Sequence, residues 1–249
     1  ANVWVALLCA VIAGMLAGLV TGILHTFMGI PAILAGILTQ LALFSINLRI
    51  MDRKANMAIN PNNYDLLVSM RNVKQMTIGN PIFVAVLFTV IVIALLYWFF
   101  GTEIGSALRA TGNNEAMIRA LGVNTKRTKL LALMLSNGLV AMSGAFVAQM
   151  QKYADIGMGQ GAIVIALAAI IIGEVLMKRC INFGLKLLSA AIGAVIYFII
   201  RAFVLYLGLN ANDMKLISAI IVALALAIPT VSQKLALKKA YSEGDDENA

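Results

Sequence analysis

TEIGSALRATGNNEAMIRALGVNTKRTK, residues 102–129, is polar and patterned where the chain around it is apolar. It begins where one apolar block stops, at Trp98–Phe100, and ends where the next starts, at Leu130. A helical membrane span needs about twenty apolar residues, and the flanking blocks are that long. The chain is 61% hydrophobic and 12% charged, whereas soluble domains carry about 25% charged residues. Mean hydropathy is +0.93. The formal net charge of +8 does not point to nucleic acid. The basic residues stand at the ends of apolar blocks rather than on one soluble face, as expected of cytoplasmic membrane flanks.

Outward from that stretch, the apolar blocks predict seven spans. The first runs from about Val3 to Leu24. It lacks the basic flank of a signal peptide and is too long for a signal core. Its Gly14, Gly18 and Gly22 form a small-residue ridge that lets another helix approach closely. His25 and Gly29-Ile30-Pro31 break the run, and Pro31 suits the start of a helix over about Ala32 to Asn47. Further spans are expected at about Pro81–Phe100, Leu130–Met150, Gly161–Met177, Leu185–Leu207 and Leu216–Val231. Tyr97 and Trp98 form an aromatic anchor at the membrane interface.

Between spans, Leu48–Asn80 reads as a structured loop with turn chemistry at Asn60-Pro61-Asn62-Asn63 and a short surface helix at Tyr64–Met70. The tail from Lys234 to Ala249 is basic, then acidic, and reads as a disordered cytoplasmic tail. Residues 1–233 thus form one transmembrane domain and 234–249 its tail. With the tail inside, alternation places Lys178, Arg179, the His25 turn and the central stretch inside, and the Leu48–Asn80 loop outside. That loop is itself basic, so the charge bias is modest. Cys9 and Cys180 lack any CxxC spacing and read as core or lipid-facing thiols rather than metal or redox groups. His25 has no acidic neighbour in sequence and reads as structural.

Within the central stretch, Gly112-Asn113-Asn114 interrupts the helical pattern. Asn113 or Asn114 caps a short helix that runs to about Leu121, with Glu115 in its first turn, where the helix dipole favours an acid. Gly122 suits its termination, and Asn124 or Thr125 caps the next span. Met117, Ala120 and Leu121 share a face by three-and-four spacing. Two helical turns are not stable alone in water, so this helix needs a surface. Lipid headgroups and a groove on another protein both qualify. Lys126, Arg127 and Lys129 stand at the start of the following span, where the dipole disfavours cations. An anionic leaflet or an acidic partner would offset that.

The run GSALRATGNNEAMIRALGVNTKRTKLLALMLSNGLVAMSGAFVA resembles the signature of bacterial ABC-importer permeases of the branched-chain amino acid and ribose type. The matching parts are Ala107–Ala110 with Gly112 and Asn114, then Gly122-Val123, Lys126-Arg127 and Ser143-Gly144-Ala145. Gly157–Glu174, GMGQGAIVIALAAIIIGE, is similar to the family's following block, and the resemblance covers about Gly79 to Pro229. Importers at large carry an EAA-x-x-x-G loop. Here Glu115-Ala116 is followed by Met117, and Gly122 lies one residue further on. Family members usually have more than seven spans, so either N-terminal helices lie outside this sequence or broken helices escape the count.

The resemblance implies an all-α, polytopic bundle in the bacterial cytoplasmic membrane. It implies a short cytoplasmic coupling helix within about residues 102–128, and a pathway formed with a second permease subunit, a homodimer or a heterodimer. It also implies ABC ATPase subunits that bind ATP-Mg and an extracytoplasmic binding protein that delivers solute. This chain has no GxxxxGK[ST] phosphate loop, so it is expected to be a transport subunit and not an enzyme, with no cofactor, metal or catalytic residue of its own. Asn114, Glu115, Met117, Ile118, Arg119, Leu121 and Gly122 are the implied ATPase-coupling residues.

Glu174 and Arg201 are candidates for the pathway or its gate. Glu174 can instead pair with Lys178-Arg179, and Arg201 can snorkel. Asp155 and Asp213 fall in outer loops within reach of a binding protein. Gly173-Glu174, where sugar and branched-chain members often have Gly-Gly, favours an amino acid as solute, with a sugar or nucleoside as the alternative. A secondary solute transporter is the rival reading, and such proteins place ionisable groups at the bilayer midplane. A membrane scaffold without transport activity is a third.

Overall fold

Gly14, Gly18 and Gly22 decide the first packing event. In a computed structural model of the chain, describing residues 2–60, 67, 80–177, 182–206 and the single positions 216, 219, 220, 223 and 227, the ridge faces one partner helix. The elements in order are α1 (Val3–Thr26), α2 (Ala32–Ile50), β1 (Asn56–Ala58), α3 (Pro81–Gly101), α4 (Glu103–Asn113), α5 (Glu115–Ala120), α6 (Thr125–Gln151), β2 (Tyr153–Asp155), α7 (Ala162–Leu176) and α8 (Phe183–Tyr206). They divide into two compact units, Ala1–Gly159 and Gln160–Ala249. Asn60 to Asn63 beyond its first residue, most of Tyr64–Met70, Lys178-Arg179, Cys180, Asp213, most of Leu216–Val231 and the tail lie outside the described residues.

In the first unit, a side chain at Gly14 would strike Ala141 and the Asn137 carbonyl. One at Gly18 would strike the Leu133 carbonyl and the Met134 backbone, and one at Gly22 the Leu130 side chain. Contacts that ascend α1 therefore descend α6, so the two helices are antiparallel. Gly138 of α6 admits Met15 in return. Without a solvent-driven hydrophobic force in lipid, this close backbone approach is what gives such a pair its attraction. Ala35, fully buried, brings α2 against α1. Between them Thr21 Oγ1 donates to Thr39 Oγ1 at 2.9 Å, and Thr39 donates to the Ala35 carbonyl at 3.0 Å. Phe88 of α3 stands between Trp4 of α1 and Phe146 of α6, with ring centroids 6.2 and 4.7 Å away.

The two ends of this unit are distinct. At one end, His25 Nδ1 lies 2.9 Å from the Ile30 carbonyl and ties the turn between α1 and α2. Lys126 Nζ, in the first turn of α6, lies 5.7 Å from the centre of the adjacent Phe27 ring. At the other end β1 pairs antiparallel with β2, with Met57 opposite Ala154. Gln149, buried near the end of α6, accepts from Leu67 N at 3.2 Å. β1 and Leu67 thus meet the end of α6 and the segment after it at one end, and the His25 turn and central stretch meet at the opposite end, as alternation of spans requires.

In the second unit, α7 and α8 form an antiparallel pair. Gly173 lies against the Ser189 carbonyl and Gly193 against the Ala169 carbonyl, each too close for a Cβ. Tyr197 and Ala168 are fully buried beside Ile165 and Ile172.

Among the described residues five helices, α1, α2, α3, α6 and α8, have the length and composition of membrane spans. They correspond to five of the seven expected blocks, and α6 starts a turn earlier than Leu130. The block expected to span from Gly161 to Met177 forms a helix of only 15 residues. At 1.5 Å per residue that is about 22 Å, short of a hydrocarbon core of about 30 Å. Gly161, with φ +81°, starts it late, and Met177 follows its end.

Candidate functional site

The central stretch folds as two helices rather than one. Thr102 caps α4, accepting from Gly105 N at 3.3 Å. Gly105 sits so close to the Phe99 carbonyl that a Cβ would collide with it, which folds α4 back tightly on the end of α3. Gly112 and Asn113 were expected to interrupt the helix, but both belong to α4. The break is confined to Asn114, in extended backbone with φ −149° and ψ 95°. Its N–H bonds the Ala110 carbonyl at 2.9 Å and closes α4. Its Oδ1 accepts from Met117 N at 3.1 Å and opens α5. Asn124, not Thr125, caps α6, accepting from Arg127 N at 3.3 Å. Gly122, at φ +84°, makes the left-handed turn that ends α5, a conformation costly for residues with a Cβ.

Three features hold this short helix in place. Ile118 is buried at 5% exposure. Glu115 Oε1 accepts from Arg119 at 2.9 Å, one helical turn on, and its Oε2 accepts from Lys129 Nζ at 2.6 Å, across the turn into α6. Arg119 also reaches Thr125 Oγ1 at 3.4 Å. Beneath them, Thr111 of α4 and Thr128 of α6 share a buried hydrogen bond of 3.3 Å. The hydrogen bond from Lys129 is the main cause that holds the Glu115 carboxyl below its ordinary value; partial burial opposes it, and the charges of Lys129 and Arg119 reinforce it. Lys129 thus finds an anion within the chain, which answers the dipole conflict at the start of α6.

The expected coupling residues therefore separate. Glu115 and Arg119 come together with Lys129. Asn114 and Gly122 define the helix ends. Met117 and Leu121, one turn apart, are exposed at 54% and 69%, and Ala120 is exposed beside them. Ile118, implied by the resemblance to meet a partner, is instead buried within this chain. Lys129, Thr111 and Thr128 were not singled out as site residues. The pairing of Glu115 with Arg119 is readable from i,i+4 spacing, but a partner fourteen residues away across a turn has no local signal.

The pathway candidates Glu174 and Arg201 lie in the second unit, and Cys9 and Asp155 in the first. Glu174 is exposed on α7. Arg201 of α8 stacks on its own helix neighbour, its guanidinium carbon 6.0 Å from the centre of the Phe198 ring. Cys9 is exposed on the apolar surface of α1. Asp155 closes the turn after β2, accepting from Gly157 N at 2.5 Å.

The profile of a family described as "Branched-chain amino acid transport system / permease component" matches residues 1–227. A tyrosine transport system permease protein of Clostridioides difficile is 40% identical over 235 residues, 94% of this chain and 75% of its own. A fructose import permease of Bifidobacterium longum is 24% identical, over 89% of this chain and 61% of its own. A ribose import permease of Escherichia coli is 22% identical, over 93% and 70%. No solved structure matches.

Proposed function

We propose, from the premise that this chain belongs to the family of branched-chain amino acid transport system permease components, that it forms the membrane pathway of an amino acid importer and takes its driving force through α5. As a member of that family it is a multi-pass protein of the bacterial cytoplasmic membrane and a transport subunit of an ATP-binding-cassette importer. The observation that supports the driving role is the presentation of Met117 and Leu121. Two large apolar side chains project from a helix anchored behind by Ile118 and fastened to the span α6 through Glu115–Lys129. A partner groove that buries them gains apolar contact, and its motion passes into α6. On this reading the groove belongs to an ATPase subunit that binds ATP-Mg, a second permease subunit completes the pathway, and a binding protein delivers solute to the end carrying β1 and β2.

An amino acid is favoured because the tyrosine permease is 40% identical, against 22–24% for the sugar permeases. The test is uptake of labelled tyrosine and labelled ribose by proteoliposomes holding the permease with its ATPase and binding protein. Accumulation of tyrosine that requires enclosed ATP is expected. Accumulation driven by a proton or sodium gradient without ATP would overturn the reading.

A further inference from the structure

Polar side chains in the spans of the first unit mostly bond within their own helix. Thr89 donates to the Ala85 carbonyl, Ser136 and Asn137 to the Leu133 carbonyl. Gln40 of α2 is different. It is exposed and has no hydrogen-bond partner among the described residues. It lies eight residues after Ala32 and ten before Ile50, about 12 and 15 Å from the two helix ends, at the middle of a bilayer-crossing helix. A primary amide there brings two donors and a two-lone-pair acceptor, which hydrocarbon leaves unmet at substantial cost.

Its place on the helix is also informative. Gly36, Gln40 and Asn47 recur at intervals of four and seven, so they share one side of α2. Ala35 and Thr39, the residues buried against α1, lie on a different side. Asn47 is exposed too, about 10 Å from Gln40 along the axis towards the end that carries β1. The stripe therefore descends from that end to mid-membrane and is not used to pack α2 on α1.

We propose that this stripe lines the translocation pathway, with Gln40 as the mid-membrane residue that hydrogen-bonds the carboxylate–ammonium end of an amino acid. The inference rests on the importer reading given above. A neutral amide both donates and accepts, so it pairs with either group of the zwitterion. It brings no charge of its own that would hold the solute too firmly to leave, the balance a conduction path requires.

The test uses the assembled transporter in proteoliposomes, in a Cys9→Ser/Cys180→Ser background, with Gln40→Cys compared with its neighbour Leu41→Cys. A small, charged, membrane-impermeant methanethiosulfonate should modify position 40 at least about tenfold faster than position 41, because a thiol in water ionises and one in lipid does not. Saturating tyrosine should slow the reaction at position 40. Equal, slow rates at both positions would overturn the proposal, and so would a disulfide between two copies at position 40 with no reaction towards the reagent. Independently, Gln40→Leu should lower tyrosine uptake about tenfold, the effect of losing one desolvated hydrogen bond to a charged group, with complex assembly unchanged, while Gln40→Asn retains more of it. Unaltered uptake by Gln40→Leu would also overturn it. If the wild-type protein does not transport tyrosine, the solute assignment fails, but the labelling rates still decide whether the stripe is wet.

Discussion

Lys129 Nζ lies 2.6 Å from Glu115 Oε2, joining the first residue of α5 to the start of a membrane span. The same carboxylate holds Arg119 at 2.9 Å. A helix of six residues has little stability of its own, so this clamp and the burial of Ile118 set its orientation. Glu115 and Lys129 are each about one-third exposed and Arg119 about two-thirds, and pairs of that kind add little to global stability. Their effect is on the orientation of α5 against α6.

Breaking the clamp should loosen coupling before it loosens the fold. Glu115→Gln and Lys129→Glu are each expected to reduce solute transported per ATP hydrolysed, with little change in melting temperature, and the double exchange Glu115→Lys/Lys129→Glu should recover part of it. The carboxyl is held below its ordinary 4.5. Because its folded value is the lower one, its contribution is complete above the unfolded value and is lost as pH falls through the folded value. Coupling through this pair should therefore be flat over about pH 6–8 and weaken only in acid. A coupling ratio in the Glu115→Gln variant equal to wild type would refute the role.

Met117 and Ile118 are adjacent in sequence but have opposite surroundings, so their substitutions should separate. Met117→Asp or Leu121→Asp is expected to weaken ATPase association by about tenfold or more, the range of a central apolar contact, at unchanged thermal stability. Ile118→Ala should cost about 2–4 kcal/mol of stability. Co-purification measured alongside melting temperature distinguishes the two classes, and a stability loss in Met117→Asp equal to that of Ile118→Ala would count against the exposed assignment.

Gly18 faces the backbone of α6 at Leu133 and Met134, with no flexible group to yield. Gly18→Val is expected to separate the α1–α6 pair, at a cost of about 1–3 kcal/mol or more, and to lower the yield of folded protein. Gly144→Ala on α6, where nothing lies within 4 Å, should be neutral or slightly stabilising by helix propensity. Detergent-solubilised melting curves of the two variants provide the comparison.

Met57 and Ala154 are direct cross-strand partners. Directly opposed antiparallel residues have Cα atoms about 4.5–5.5 Å apart, within the range a disulfide spans. Met57→Cys/Ala154→Cys, without the native cysteines, should form a disulfide in intact cells, and Met57→Cys alone should react there with an impermeant thiol reagent, whereas Asn114→Cys should not react until the membrane is opened. Labelling of Asn114→Cys in intact cells would invert the orientation and remove the coupling role of α5.

Much of this was legible because it is written in local chemistry. Asn113-Asn114 and Asn124-Thr125 announce two caps without saying which member of each pair supplies it, and the four-residue spacing of Gly14, Gly18 and Gly22 announces a close helix partner, though not that the partner is α6. The rest depends on contacts between distant parts. α4 keeps Gly112 and Asn113 helical because Gly105 packs onto the end of α3 and Thr111 bonds Thr128, which overrides weak propensity. Three-residue strands have no periodicity to read, so the pairing of β1 with β2 has no sequence signal. Ile118 and Met117 are equally apolar, and only the packing of distant elements around α5 decides which is covered. Gln40 is a single uncharged residue in an apolar block, and a search for ionisable groups passes over it.

The attachments of α6 have a mechanical consequence. The helix is 27 residues long, about 40 Å from end to end. One end is pinned to α5 through Lys129, and the other is strapped to the chain leaving α2 by the strand pair and by Gln149. Between Leu130 and Ala141 it bears on Gly14, Gly18 and Gly22 of α1, while Met15 of α1 seats against Gly138, so the two helices are keyed together. A rod tied at both ends and keyed to its neighbour along its middle moves with that neighbour as one piece. Under the proposed coupling role, a push at α5 would reach the end that carries β1 and β2 through α1 and α6 together, not through α6 alone.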